Sequence, residues 1–127
     1  MTEIVKNFSK KCILVVDDAA IILLRITEAL GEYYDVVTVN SGTRALKYLE
    51  TNKPDLILLD IQMPAMDGFE ALREIRAMEN RADIPVIMLT GVESKRFVVE
   101  GVKLGIRDYI LKPFTTKELL ERIQRVL

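Results

Sequence analysis

Five short apolar runs, each closed by a polar or charged residue and each separated from the next by a helix-length stretch, constrain this chain more than any other feature. They are Cys12–Val16, Asp35–Val39, Leu56–Leu59, Pro85–Leu89 and Tyr109–Leu111. Four of them lack alternation of polar and apolar residues, the pattern of strands covered on both faces, as parallel strands are. The run Asp35–Val39 is more polar and suits an edge. Parallel strands need crossovers, and the intervening segments supply them. Ile22, Ile26, Ala29 and Leu30 form one helical stripe, and Leu119, Ile123 and Val126 form another at i, i+4, i+7. Gly31 and Gly105 sit where helices should stop, and Thr115 or Thr116 is placed to cap the last helix, with Glu118 in its first turn. Pro85 enters the fourth strand at its start, where a proline costs no interior ladder bond. Five strands alternating with five helices predict an open, doubly wound α/β sheet, and right-handed crossovers restrict its topology sharply.

Composition narrows the class. The 127 residues are enough for one domain and leave no room for a second, and 50% hydrophobic with 29% charged residues is the balance of a soluble globular fold. Eighteen Lys and Arg against 19 Asp and Glu give a net charge of -1, so no general attraction to nucleic acid or anionic lipid is expected. The single cysteine, Cys12, excludes an internal disulfide, and the polar segment Met1–Lys11 has no apolar core of a leader. No apolar run approaches the roughly 18 residues of a membrane span. The expectation is a cytoplasmic protein with an N-terminal extension over 1–10 and one domain over 11–127. Histidine is absent, which excludes a Ser-His or Cys-His pair, an imidazole metal site and a phosphohistidine on this chain.

The polar residues that close the runs become neighbours in a parallel sheet. Asp17 and Asp18 follow the first run, Asp60 the third, Thr90 the fourth and Lys112 the fifth, all at the C-terminal edge where open α/β folds bind ligands. Taken singly, each is the polar start of a solvated loop. Together they bring three carboxylates, a hydroxyl and an amine to one place. Three clustered carboxylates repel, so a proton, a lysine or a cation must relieve them. Oxygen-only ligands select a hard divalent ion, and a partly built site suits Mg²⁺. With neither a Gly-rich phosphate cradle nor histidine, phosphoryl transfer to a carboxylate is the chemistry that fits.

These residues resemble a family. The acidic pair in Ile13-Leu14-Val15-Val16-Asp17-Asp18, the segment Leu58-Leu59-Asp60-Ile61-Gln62-Met63-Pro64-Ala65-Met66-Asp67-Gly68, the Leu89-Thr90-Gly91 end and the run Asp108-Tyr109-Ile110-Leu111-Lys112-Pro113-Phe114 look like the receiver domain of two-component response regulators. The resemblance runs over nearly the whole chain, with four motifs in the family's order. It implies a flavodoxin-like (βα)5 fold with strand order 2-1-3-4-5, shared with chemotaxis regulators.

The resemblance also implies a phosphorylation-activated switch that is not a turnover enzyme. Asp60 would take a phosphoryl group from a phosphohistidine on a sensor histidine kinase or histidine phosphotransfer protein. Mg²⁺ would be held by Asp18, Asp60 and the backbone carbonyl of Gln62, with Asp17 acting through a water. Lys112, Thr90 and the Gly91 N–H would bind the phosphoryl oxygens, and the same groups would assist hydrolysis. Thr90 and Tyr109 would carry the signal to the fourth helix, fifth strand and fifth helix, where Phe97, Val98, Val102 and Leu104 supply apolar surface. A cis Lys112-Pro113 bond, a phosphorylation-dependent homodimer and a downstream protein or output domain belong to the same expectation. Asp67 is placed to cap the third helix, and Gly68 is read as permitting an unusual backbone. Two departures stand out: Ala19-Ala20 replaces the acidic residue or proline common after the acidic pair, and Val92 is expected to slow hydrolysis.

Three other readings remain open at this stage. An aspartate-nucleophile phosphohydrolase needs a second Asp two residues after the nucleophile, and Gln62, an amide, cannot do that acid–base work. A flavodoxin-like cofactor binder needs hydroxyl- and glycine-rich residues in its first loop, where Asp17 and Asp18 would repel a phosphate. A receiver-shaped interaction module without phosphorylation is opposed by the intact Asp18, Asp60, Thr90 and Lys112.

Overall fold

The computed structural model describes residues 10–127; the expected extension over 1–10 lies, Lys10 apart, outside them. Strands and helices alternate as β1 (Cys12–Val16), α1 (Ala20–Leu30), β2 (Asp35–Val39), α2 (Gly42–Leu49), β3 (Leu56–Asp60), α3 (Gly68–Ala77), β4 (Val86–Thr90), α4 (Lys95–Lys103), β5 (Asp108–Leu111) and α5 (Thr116–Val126). All neighbouring strands are parallel, in the order β2-β1-β3-β4-β5. This is the expected doubly wound sheet, with edges at β2 and β5.

The strand limits differ from the apolar runs in an informative way. β3 and β4 continue through Asp60 and Thr90, so these polar residues are the last rungs of the sheet rather than the first of the loops. Pro85 falls just before β4, where it has no N–H to give the ladder, and its carbonyl accepts from Ile57 N at 3.0 Å. β5 begins at Asp108, whose carboxylate accepts from Tyr109 N and pairs with Arg122 of α5 at 2.8 Å.

Alternation along the buried strands divides the core in two. Leu14, Val16, Ile57, Leu59, Val86 and Met88 face α2 and α3, with Phe97 and Leu104 at the margin of that layer. Ile13, Val15, Leu56, Leu58, Ile87, Leu89 and Ile110 face Ile26 and Leu30 of α1 and Leu119 and Ile123 of α5. A fully buried Leu or Ile contributes about 1.5–3 kcal/mol by leaving water, so this sandwich is what holds the sheet edge in place.

Caps set the helix limits. Ser41, Ser94 and Thr115 each accept a backbone N–H from the first turn of α2, α4 and α5, and Asp67 forms a reciprocal capping box with Glu70 on α3. Thr115, not Thr116, is therefore the cap of α5. Gly105 follows α4 with φ 71°, the left-handed conformation that glycine tolerates, whereas Gly31 ends α1 in the right-handed region.

Candidate functional site

Strand register explains how residues far apart in the chain meet. Val16 lies opposite Leu59, Asp60 opposite Leu89, and Thr90 opposite Leu111, so Asp17, Asp60, Thr90 and Lys112 finish adjacent strands at one edge. Backbone bonds continue this ladder past the strands: Asp17 N donates to Val39 O at 3.2 Å, Ile61 N to Leu89 O at 3.0 Å and Lys112 N to Thr90 O at 2.7 Å. The Lys112-Pro113 peptide is cis.

The acidic residues sit in different environments. Asp17 is wholly buried, Asp60 is 4% exposed, and Asp18 faces solvent. One oxygen from each lies within 4.8 Å of the others. Lys112 enters from β5 and donates its Nζ to Asp17 Oδ2 at 2.6 Å and to Asp60 Oδ1 at 3.1 Å. The second Asp17 oxygen accepts from Ala19 N at 2.9 Å, which fixes the turn into α1.

Electrostatics follow from this crowding. Burial first, then the charge of Asp17, push the Asp60 carboxyl up to about 6, against the opposing pull of Lys112. Burial works against the Lys112 ammonium, but its hydrogen bond to Asp17 and the charges of Asp17 and Asp60 outweigh it and raise its pKa. One lysine does not neutralise three carboxylates. The remaining negative charge, the all-oxygen donors and the open side at Asp18 suit a hard divalent cation.

Neutralising Asp60 should accordingly stabilise the chain. A carboxyl whose folded pKa is about 6 against an ordinary 3.8 is favoured by folding below about pH 4, and that advantage is lost as pH rises through 6. In metal-free buffer at pH 7, Asp60→Asn should gain about 1–2 kcal/mol, a value already reduced for solvent screening. Urea unfolding of both chains from pH 4 to pH 7 measures it, and curves that stay parallel across that range would contradict the argument.

Thr90 and Tyr109, on the adjacent strands β4 and β5, line one cavity beside α4. The Thr90 hydroxyl, 3% exposed, accepts from Val92 N at 3.1 Å and donates to Val92 O at 3.2 Å, so it is engaged with its own loop. The Tyr109 hydroxyl donates to the Phe97 carbonyl of α4, and burial holds its phenol above the ordinary range. Gly91 and the side chain of Gln62 are exposed.

The loop after β3 corrects one expectation. The unusual backbone belongs to Ala65, at φ 67°, and not to Gly68, which is needed for space. A Cβ at Gly68 would meet the Asp60 carbonyl oxygen, and it would lie 2.8 Å from Ile61 Cα. Gly68 N donates to Ile61 O at 2.7 Å, so the start of α3 is stapled directly under the end of β3. Arg76 and the Arg73–Glu100 pair, described below, also escaped the sequence reading, since nothing in their spacing marks them.

With this geometry in view, comparison with known proteins is unambiguous. The family model of the response regulator receiver domain matches residues 13–124. The alkaline phosphatase synthesis transcriptional regulatory protein PhoP of Bacillus subtilis is 37% identical over 119 residues, covering 94% of this chain and 49% of that protein. The chain thus spans about half the length of such curated relatives. The chemotaxis protein CheY4 of Vibrio cholerae superposes with a TM-score of 0.90 at 32% identity, covering 94% of this chain and 100% of that one. The receiver domain of sensor histidine kinase PA1611 from Pseudomonas aeruginosa, solved with a magnesium ion coordinated in its active site cleft, gives 0.83 at 35% identity, covering 92% and 97%. The chain belongs to the response regulator receiver domain family of two-component systems. Among the described residues, no helix is long and apolar enough to cross a membrane.

Proposed function

We propose that residues 11–127 form a phosphorylation-driven switch in which Asp60 accepts a phosphoryl group from a phosphohistidine on a sensor histidine kinase or histidine phosphotransfer protein. The observation that carries this reading is the single constellation at the sheet edge: Asp60 beside Asp17 and Asp18 within 4.8 Å, with Lys112 Nζ 3.1 Å from its carboxylate.

In the step itself an Asp60 oxygen attacks phosphorus and forms the acyl phosphate O–P bond. The P–N bond to the donor imidazole breaks, and its electron pair leaves on the nitrogen, which is reprotonated. Asp18, Asp60 and the Gln62 carbonyl would hold Mg²⁺, with Asp17 reaching it through a water, and the bound ion would supply charge neutralisation between nucleophile and phosphoryl group. Lys112 guides one Asp60 oxygen and then pairs with the phosphoryl oxygens, while the Thr90 hydroxyl and the Gly91 N–H donate to them. To reach the phosphoryl group Thr90 must give up its bonds to Val92, and Tyr109, which lines the same cavity, must then choose between the space Thr90 leaves and the Phe97 carbonyl. That choice carries the state of Asp60 to α4, β5 and α5, where a downstream protein, an output domain or a second copy would read it. The chain works as a switch in the cytoplasm, not as a turnover enzyme, and its net charge of -1 assigns it no direct grip on nucleic acid.

Intact mass after incubation with Mg²⁺ and acetyl phosphate tests the proposal. One added phosphoryl group is expected, absent when a chelator is present and absent from Asp60→Asn. If no adduct forms, released inorganic phosphate distinguishes rapid hydrolysis from an inert site; with neither adduct nor phosphate, the chain would be a receiver-shaped interaction module instead.

A further inference from the structure

α4 is held very differently at its two ends. Gly101 is its only fully buried residue, whereas α3 buries Gly68, Phe69, Ala71, Leu72 and Ile75. Val98, Val99 and Val102 are exposed at 47%, 55% and 69%, so little apolar packing fixes the helix to the sheet. What fixes it must be sought in specific contacts.

At the C-terminal end those contacts are polar and several. Arg73 of α3 pairs with Glu100 at 2.7 Å. One turn on, the Arg76 guanidinium donates through Nε to Leu104 O at 2.9 Å and through Nη2 to Gly105 O at 3.4 Å. Its Nη1 donates to Ile84 O at 2.7 Å and to Ala82 O at 3.1 Å. Among the described residues no carboxylate lies within ion-pair distance of it, although the charges of Arg107 and Asp83 both reach it; its fork collects carbonyls, tying the last turn of α4 to the segment that leads into β4. Carbonyls at a helix C-terminus carry partial negative charge, which favours a cation there. Gly101 packs beside Tyr109 and Ile106, so close that a Cβ would strike the tyrosine hydroxyl.

At the N-terminal end the attachment is one residue. Phe97 packs its ring tilted against Phe69, with centroids 5.6 Å apart and planes at 56°, and accepts the Tyr109 hydroxyl on its carbonyl. Beside it lies a cavity of about 630 Å³ lined by Thr90, Val92, Ser94, Phe97, Val98 and Tyr109 among others. The N-terminal half therefore depends on the side chain proposed above to change partner, and it borders the space such a change requires.

We propose that Arg76 is the pivot of α4: when Tyr109 releases Phe97, the N-terminal turn swings while the C-terminal turn stays fixed on the Arg76 fork. Arg76 is thus a positioning residue that confines the signal to Ser94–Gly101, the part of α4 that Tyr109 touches, and away from Val102–Arg107. The proposal rests on the phosphorylation reading and adds where along α4 that signal is expressed.

Backbone hydrogen exchange followed by mass spectrometry tests it, on the full chain with and without Mg²⁺ plus beryllofluoride as the phosphoryl mimic. In the wild type, exchange over 94–101 should change by about tenfold on adding the mimic, as for one hydrogen bond of ordinary strength, and stay nearly constant over 102–107. Arg76→Met should speed resting exchange over 102–107 by a similar factor and let the mimic's effect spread there. Arg76→Lys, which keeps the charge and stem but loses the fork, gives the same pattern in weaker form and serves if the methionine variant fails to fold. An effect spread evenly from 94 through 107 in the wild type, or variants that match the wild type over 102–107, would overturn the pivot alone. No effect anywhere in the wild type would overturn the phosphorylation reading and the pivot with it.

Discussion

Replacing Lys112 with methionine should destabilise the chain by about 3 kcal/mol at neutral pH in metal-free buffer, because it strands a buried carboxylate rather than merely removing a surface charge. Asp17 is fully buried and its Oδ2 sits 2.6 Å from the lysine nitrogen; Asp60, with a second bond to the same nitrogen, is nearly as enclosed. Methionine replaces the stem at similar volume, so the loss measures the charge and its hydrogen bonds and not a cavity. Lowering the pH supplies a proton in place of the ammonium: without the opposing pull of Lys112 the Asp60 carboxyl rises further above its wild-type value of about 6, so the difference from the wild type should shrink as the pH falls from neutral toward 6. Urea denaturation across that range is the measurement. A Lys112→Met chain as stable as the wild type at pH 7 would mean that Asp17 is held by something other than this pair.

Gly68→Ala should cost as much or more, on the order of 3 kcal/mol, although it adds one methyl group to a helix start. The new Cβ would lie 2.8 Å from Ile61 Cα and 3.0 Å from the Asp60 carbonyl carbon, backbone atoms at the end of β3 and just beyond it, and neither can rotate aside. Either α3 lifts away or the end of β3 bends. Denaturant midpoints should fall, and phosphoryl acceptance should fall further than stability explains, because the displaced atoms carry Asp60 itself. For stability, the substitution Gly91→Ala is the control, since nothing lies within 4 Å of where its Cβ would stand. Equal behaviour of the two variants would show that the close approach at Gly68 relaxes at little cost.

Much of this fold could be read before any coordinates, and the reason is physical. Strands buried on both faces must be continuous apolar runs, and in a parallel sheet their closing residues have to share an edge, so Asp17, Asp60, Thr90 and Lys112 were placed together by periodicity alone. Cap chemistry was legible for the same reason: Asp67 and Thr115 accept from residues three positions on, a distance in sequence that any reader can count. What could not be read were contacts set by how elements lean on one another. Gly68 looked like a residue chosen for its backbone freedom, but the left-handed residue is Ala65, and Gly68 answers to the nearness of β3. Arg76 carries no motif, since its partners are carbonyls, which every residue has. The preference of Lys112 for Asp17 over Asp60, 2.6 against 3.1 Å, is likewise a matter of packing at the edge.

The bond between Lys112 and Asp17 spans 95 positions of the chain, and that between Lys112 and Asp60 spans 52. A chain emerging from the ribosome would therefore carry Asp60 before the lysine that completes the cluster, and a fragment lacking β5 would present repelling carboxylates with no lysine from that strand among them. Under the proposed switch, competence to receive a signal is thus tied to the finished sheet. A half-made or partly unfolded copy would be silent, and the cell would not hear from molecules unable to relay the message.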